Sequence, residues 1–212
     1  MSEVKNILVF GATGRTGIKM VAQGLEQGHH ITAFVRNPAK LQLNDKNLSF
    51  ITGNVLDSTD VENSIKGQDI VIVMLANKTS EAIKQSNTII SEATKNIISG
   101  MKNHNVKRLL FVSSFGLNKK IFLPEKLFIK IVLKNIFADI PKQEDLIKQS
   151  GLDWTIVRPA RLVDEIKTGK YKVGQDIRIG LFSKISRDDV ADFLVKNLQN
   201  ETLIGKTITV SY

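Results

Sequence analysis

Three glycines at a spacing of three, Gly11, Gly14 and Gly17 in "FGATGRTG", follow directly on the apolar run of residues 4–10. That pattern suits a chain that must leave a strand, turn sharply and start a helix. Gly11 permits backbone angles that other residues resist. Gly14 removes the side chain where a pyrophosphate would approach the backbone, and Gly17 lets the new helix lie close on the strand behind it. The N–H groups of Thr13, Gly14, Arg15 and Thr16 then face an anion, with the positive end of the helix behind them. A glycine trio by itself is a weak signal. The preceding strand, the following helix and the opening of a βαβ unit make it a dinucleotide-binding turn.

A second candidate lies where the next strand ends. In a dinucleotide-binding unit this position meets the adenosine ribose, and a carboxylate there accepts from both ribose hydroxyls. Here "FVRNPAK" puts Arg36 at that point and Lys40 one helical turn later. A guanidinium holds a 2′-phosphate through two hydrogen bonds, whereas a carboxylate would repel it. The expected cofactor is therefore NADP(H) in preference to NAD(H), with Arg15 adding a second positive face. Groups for proton transfer are scarce. The Tyr-x-x-x-Lys pair, in which lysine lowers the tyrosine pKa, is missing: neither Tyr171 nor Tyr212 is followed by lysine four residues on. His29, His30 and His104 have no metal spacing and are expected on the surface, so no metal site is expected. Ser114 is not in a G-x-S-x-G elbow, which argues against a hydrolase.

Apolar runs alternate with helical periodicity around these residues. Strands are expected over 4–10, 30–35, 48–53, 69–76, 106–114, 154–159 and 206–212. Helices are expected from the glycine turn to Gly28, and over 57–65, 80–103, 141–151 and 186–198. Such alternation implies parallel pairing through right-handed crossovers. The expected fold is α/β: a doubly wound, mostly parallel, Rossmann-like three-layer sheet in a single domain over 1–212. Ligands of such sheets bind at the carboxyl ends of the strands. The less regular segments 115–140 and 160–185 follow two of those ends and are expected to wall a substrate site. Within the first, "FLPEKLFIKIVLKNIF" carries Lys126, Lys130 and Lys134 as a narrow stripe on an apolar stretch. Three readings stand: a helix packed on the sheet or covering the site, a dimer face, or a surface that docks on anionic lipid. Both monomer and homodimer fit.

The formal net charge is +9 and cysteine is absent. Without helix-turn-helix, zinc spacing or aromatic residues interleaved with bases, the charge does not point to nucleic acid. No apolar stretch approaches the ~20 residues of a membrane span, and no secretory leader is visible. A cysteine-free chain suits a reducing compartment, and a cytoplasmic protein acting on a small molecule is expected.

"GATGRTG", "GNVLD" (53–57), "SGLDWTIVRPARLVD" (150–164) and "ISRDDVADFLVKNL" (185–198) occur in this order. They resemble the corresponding stretches of atypical short-chain dehydrogenases/reductases, within the biliverdin-IX-beta reductase / flavin reductase and NmrA-like group. The resemblance runs from about Lys5 to Ser211. It implies that Asn54 and Val55 lie on the adenine, although the group often has Asp at the first position. It implies that Leu75, Ala76 and Asn77 line the ribose and pyrophosphate. Ser113 and Ser114 would end the fifth strand near the nicotinamide, and Pro159, Ala160 and Arg161 would end the sixth beside it. Ser114 would hydrogen-bond the acceptor. Arg161 stands where those reductases carry histidine; it could hold a carboxylate or phosphate, or pair with Asp164 or Glu165. The implied activity is NADPH-dependent hydride transfer to a flavin or similar conjugated acceptor. Such an acceptor needs no protein acid, because a flavin takes hydride at N5 and water supplies the other proton. The implied alternative is a non-catalytic NADP(H)-binding redox sensor of the NmrA-like kind. An isomerase or epimerase is a third, and the missing tyrosine counts against it.

Overall fold

A computed structural model describes residues 3–76, 89–114, 140–175, 177, 179–180 and 182–212. The expectations for Asn77, for the first turns of the 80–103 helix and for the lysine-striped segment 122–137 lie outside the described residues. The strands are β1 (Asn6–Phe10), β2 (His30–Val35), β3 (Leu48–Thr52), β4 (Ile70–Val73), β5 (Arg108–Val112), β6 (Asp153–Pro159), β7 (Arg161–Val163), β8 (Lys172–Gly174), β9 (Lys184–Ser186) and β10 (Lys206–Ser211). The helices are α1 (Arg15–Glu26), α2 (Ser58–Ile65), α3 (Ile89–Asn103), α4 (Ile140–Lys148) and α5 (Arg187–Lys196).

The main sheet has the order β3-β2-β1-β4-β5-β6-β10-β8, and β8 runs antiparallel to β10. The other pairings are parallel. Because successive strand residues face opposite sides, each central strand feeds two cores. Ile7 and Val9 pack with α1 and α5 on one face; Leu8 and Phe10 pack with α2, α3 and α4 on the other. A near-continuous apolar run such as "ILVF" is what a strand covered on both faces requires. The three-layer α/β architecture is thus the expected one.

The segment 160–185 is more regular than its sequence suggests. β7 and β9 pair in parallel as a separate two-stranded sheet, and β8 extends the main one. Strands of three residues are too short to show alternation. A second difference concerns His29, which is 2% exposed and not at the surface. Its Nδ1 accepts from the Lys5 backbone N–H at 3.2 Å, and burial, then the neighbouring His30, pushes its pKa down. No helix among the described residues is long and apolar enough to cross a membrane.

The carboxyl-terminal quarter is tied together by a carboxylate with no solvent exposure, Asp189. It accepts from Tyr212 Oη at 2.6 Å, Ser186 Oγ at 3.1 Å, Thr168 Oγ at 2.9 Å and Gly169 N–H at 2.7 Å. Ser186 caps α5 in return, its Oγ accepting from the Asp189 N–H at 2.9 Å. Burial pushes the Asp189 carboxyl up, but the donors from Tyr212, Gly169 and Thr168 outweigh it and hold its pKa below the usual value. A carboxylate of lowered folded pKa stabilises the fold fully above its unfolded pKa, and this is lost as pH falls through the folded one. Asp189→Asn, which turns an amide N–H toward these donors, is expected to cost about 2–3 kcal/mol at neutral pH in urea unfolding. The gap between wild type and variant should narrow below about pH 4.

Candidate functional site

The carboxyl edge of the sheet begins with the glycine turn. Gly11 sits at φ +86°, and a Cβ there would stand 2.5 Å from the Met74 carbonyl oxygen. Gly14 N–H donates to the Gly11 carbonyl at 3.0 Å, closing the turn. Gly14 is then the N-cap of α1, without a side-chain cap, and the first turn of α1 holds no acid. A Cβ on Gly17 would collide with the Gly11 carbonyl oxygen and lie 2.9 Å from Ala12 Cα. The first N–H groups of a helix have no intrahelical partner, so the backbone here presents donors with no local acceptor built for them. Thr13 and Thr16 flank this turn, and the Gly14 N–H, expected to face an anion, is instead spent on the Gly11 carbonyl. Met74 N–H donates to the Phe10 carbonyl at 2.9 Å, which brings half-buried Leu75 and exposed Ala76 alongside the turn.

The ends of β2 and β3 lie next to it. Arg36 and Lys40 are exposed, and between them Asn37 Oδ1 accepts from Ala39 N–H at 3.0 Å to shape a short turn. Gly53 N–H donates to the Val35 carbonyl at 3.1 Å, holding the two strand ends level. Asn54 Oδ1 accepts from Leu56 N–H at 3.1 Å, and its own N–H donates to Asp60 Oδ2 at 2.9 Å. Val55 is half-buried, its carbonyl taking Asn96 Nδ2 at 3.1 Å. Arg36, Lys40, Asn54 and Val55 therefore share one end of the edge. Arg15 is directed elsewhere: its guanidinium pairs with Asp164 just past β7, and Asp164 also accepts from Arg187 Nη1 at 2.7 Å.

At the other end stand Ser113, Ser114, Pro159 and Arg161. Ser113 N–H donates to the Val157 carbonyl at 2.8 Å and its Oγ donates to Glu144 Oε1 at 2.7 Å. Glu144, on α4, is 1% exposed. It accepts from Arg158 Nε at 2.9 Å, Arg158 Nη2 at 2.5 Å and Lys148 Nζ at 3.1 Å. Burial raises the Glu144 pKa, yet the donors from Arg158, Ser113 and Lys148 bring it below the usual carboxylate range. Sequence reading missed Glu144 and Arg158. The available signal was an arginine inside the otherwise apolar strand "WTIVRP", which needs a buried anion.

Ser114 is half-buried beside them. Pro159 ends β6 buried, and Arg161 is exposed. Of Arg161's two weighed partners, Asp164 pairs with Arg15 and Arg187, and Glu165 pairs with Lys184 at 2.5 Å. Arg161 N–H donates to the Ser183 carbonyl at 3.2 Å, which sets the turn at 180–183 next to it. That turn carries Phe182 at 88% exposure. Both described tyrosines are engaged elsewhere: Tyr171 Oη donates to Asp192 at 2.8 Å, as Tyr212 does to Asp189.

The profile of a family described as NAD(P)H-binding matches residues 11–201. The chain is 28% identical over 217 residues to a chloroplastic protein of Arabidopsis thaliana, covering 98% of this chain and 77% of that one. It is 26% identical over 226 residues to the divinyl chlorophyllide a 8-vinyl-reductase of the same plant, covering 97% of this chain but 52% of the reductase, about half its length. Among solved structures, a Rossmann-fold NAD(P)-binding family protein from Shigella flexneri superposes with a TM-score of 0.75 at 29% identity, covering 98% of this chain and 93% of that one.

Gly17→Ala tests the turn. The added methyl must push α1 off the Gly11 carbonyl, tilting the amides at its start. Calorimetric affinity for NADP+ and NAD+ is expected to fall at least roughly tenfold, with the far-UV circular dichroism spectrum retained.

Proposed function

This chain belongs to the NAD(P)H-binding family, and we propose that it is an NADPH-dependent reductase acting on a flavin or similar conjugated acceptor, of the biliverdin/flavin reductase type. The observation that carries this reading is the start of α1, side-chain-free at Gly14 and acid-free in its first turn, with Arg36 exposed at the end of the adjoining strand. The residues fit such a cofactor, since at Gly11 and Gly17 a Cβ would run into the protein's own backbone, so that only glycine lets the turn close this tightly under a bare helix start.

The amides of residues 15–17 would hold the pyrophosphate. Arg36 and Lys40 would hold the 2′-phosphate, and Val55 would lie on the adenine. Leu75, Ala76 and Asn77 would line the ribose and pyrophosphate, with Ser113 and Pro159 at the nicotinamide. Bound NADPH supplies the hydride. Ser114 donates a hydrogen bond to the acceptor, Arg161 holds its anionic group, and Phe182 offers an exposed aromatic face for a planar ring system. Water delivers the remaining proton, so the chain's own residues only position the reactants. This is a small-molecule enzyme with no nucleic-acid partner, and its lack of cysteine suits a reducing compartment such as the cytoplasm.

A second reading, the non-catalytic NADP(H) sensor, draws support from one observation: Tyr171 and Tyr212 both spend their hydroxyl protons on carboxylates, leaving no tyrosine for acid chemistry. Mixing the protein with NADPH and FMN, a quinone or biliverdin, and following NADPH absorbance, separates the two. Oxidation of NADPH is expected; no turnover with any of them favours the sensor. Arg36→Ala is expected to weaken NADPH binding about tenfold while NADH binding stays unchanged, read by fluorescence titration. Equal loss for both cofactors overturns the 2′-phosphate assignment.

A further inference from the structure

We infer that Ser113 is a hydrogen-bond acceptor for the carboxamide N–H of the nicotinamide and so sets which way that ring faces; the inference rests on the dinucleotide reading above. Ser113 follows β5 at the carboxyl edge and is half-buried. Its single proton is already committed. Glu144 Oε1 lies 2.7 Å from Ser113 Oγ, inside a ring of donors: Arg158 through two nitrogens at 2.9 and 2.5 Å, and Lys148 at 3.1 Å. A carboxylate so surrounded is ionised and can only accept. The proton between the two oxygens therefore belongs to the serine, and Ser113 Oγ has only lone pairs left to offer a ligand.

Ser114 differs. No hydrogen bond of its hydroxyl is found among the described residues, so its proton is available to a ligand. Adjacent serines thus present opposite polarity, Ser113 accepting and Ser114 donating. At the nicotinamide end of the cofactor, the ring carries one group with N–H donors, the carboxamide. A lone-pair-only hydroxyl held by a buried carboxylate is matched to that group and mismatched to a ketone. Glu144 acts through Ser113 and is a positioning residue.

The test compares NADP+ with its 3-acetylpyridine analogue, which replaces the amide by a methyl ketone and changes nothing else. Calorimetry should find NADP+ bound about tenfold tighter by the wild-type protein. Ser113→Ala should bind both alike, and Ser113→Thr, which keeps the hydroxyl, should restore the difference. A purely structural role for Ser113 would weaken both ligands equally and keep their ratio, and that result overturns the inference. So does a wild type with no preference. If the wild type bound neither compound, the dinucleotide reading would fall with it; binding of both with a ratio insensitive to Ser113→Ala overturns the Ser113 assignment alone.

Discussion

Helix α1 starts in contact with the turn that launches it, and the rest of the edge is arranged around that closeness. The Gly11 carbonyl both receives the Gly14 N–H and occupies the space a Gly17 side chain would need. With the turn drawn in so far, no side chain is placed to cap the helix. The other two helices whose N-caps are described solve the same problem conventionally. Asp57 caps α2, accepting from Thr59 and Asp60 N–H, and Ser186 caps α5; both helices have acids in the first turn. Such caps and charges are each worth about 1 kcal/mol. In α1 neither is present, and packing against α5 and the sheet has to hold it. A helix start left polar, uncapped and positive is stable in water but strongly disposed to an anion.

That start is also joined to the far wall of the edge. Arg15 meets Asp164 just past β7, Asp164 meets Arg187 at the head of α5, and Lys19 meets Asp188 at 3.2 Å. These pairs are largely exposed and individually weak. The firm attachment lies beneath them. Asp189 and Asp192, both buried, gather hydroxyls, backbone amides and Lys167 from the chain that passes over α5, and Asp192 also pairs with Lys196 of α5 itself. Removing a partner from such a site leaves a buried charge uncompensated, so it specifies one path for residues 164–171. Residues 164–171 are thereby held against α5, with Asp164 in reach of Arg15 beside the glycine turn.

How much of this could be read from the sequence follows from the range of each interaction. The central strands were legible because burial on both faces leaves only apolar residues. The caps Asp57 and Ser186 and the left-handed Gly28 and Gly151 were legible because a helix end depends on a few adjacent residues. The glycine turn was legible for the same reason. Glu144 with Arg158 and Ser113 was not, because three elements contribute one residue each and none shows a pattern alone. His29 looked like a polar residue at a helix end; its burial comes from the strand start at Lys5, 24 positions away. β7, β8 and β9 were each too short to declare themselves, and Arg15 was read toward Arg36 because nothing local reveals Asp164.

The fate of the two tyrosines bears on the chemistry this edge can carry. A tyrosine that exchanges protons at neutral pH needs a neighbouring cation to bring its pKa down. Tyr171 has the reverse: burial, and then its hydrogen bond to Asp192, push its pKa well above the ordinary value. Tyr212 Oη donates to Asp189, and its oxygen accepts from the Ser186 N–H at 3.1 Å. Both hydroxyls tie their segments to α5. Among the described residues, Ser113, Ser114 and Arg161 stand at the end of the edge proposed for the nicotinamide. Such groups can orient a ligand and bind charge. In the proposed reaction, cofactor and acceptor hold the reacting electrons, and such groups set distance and angle.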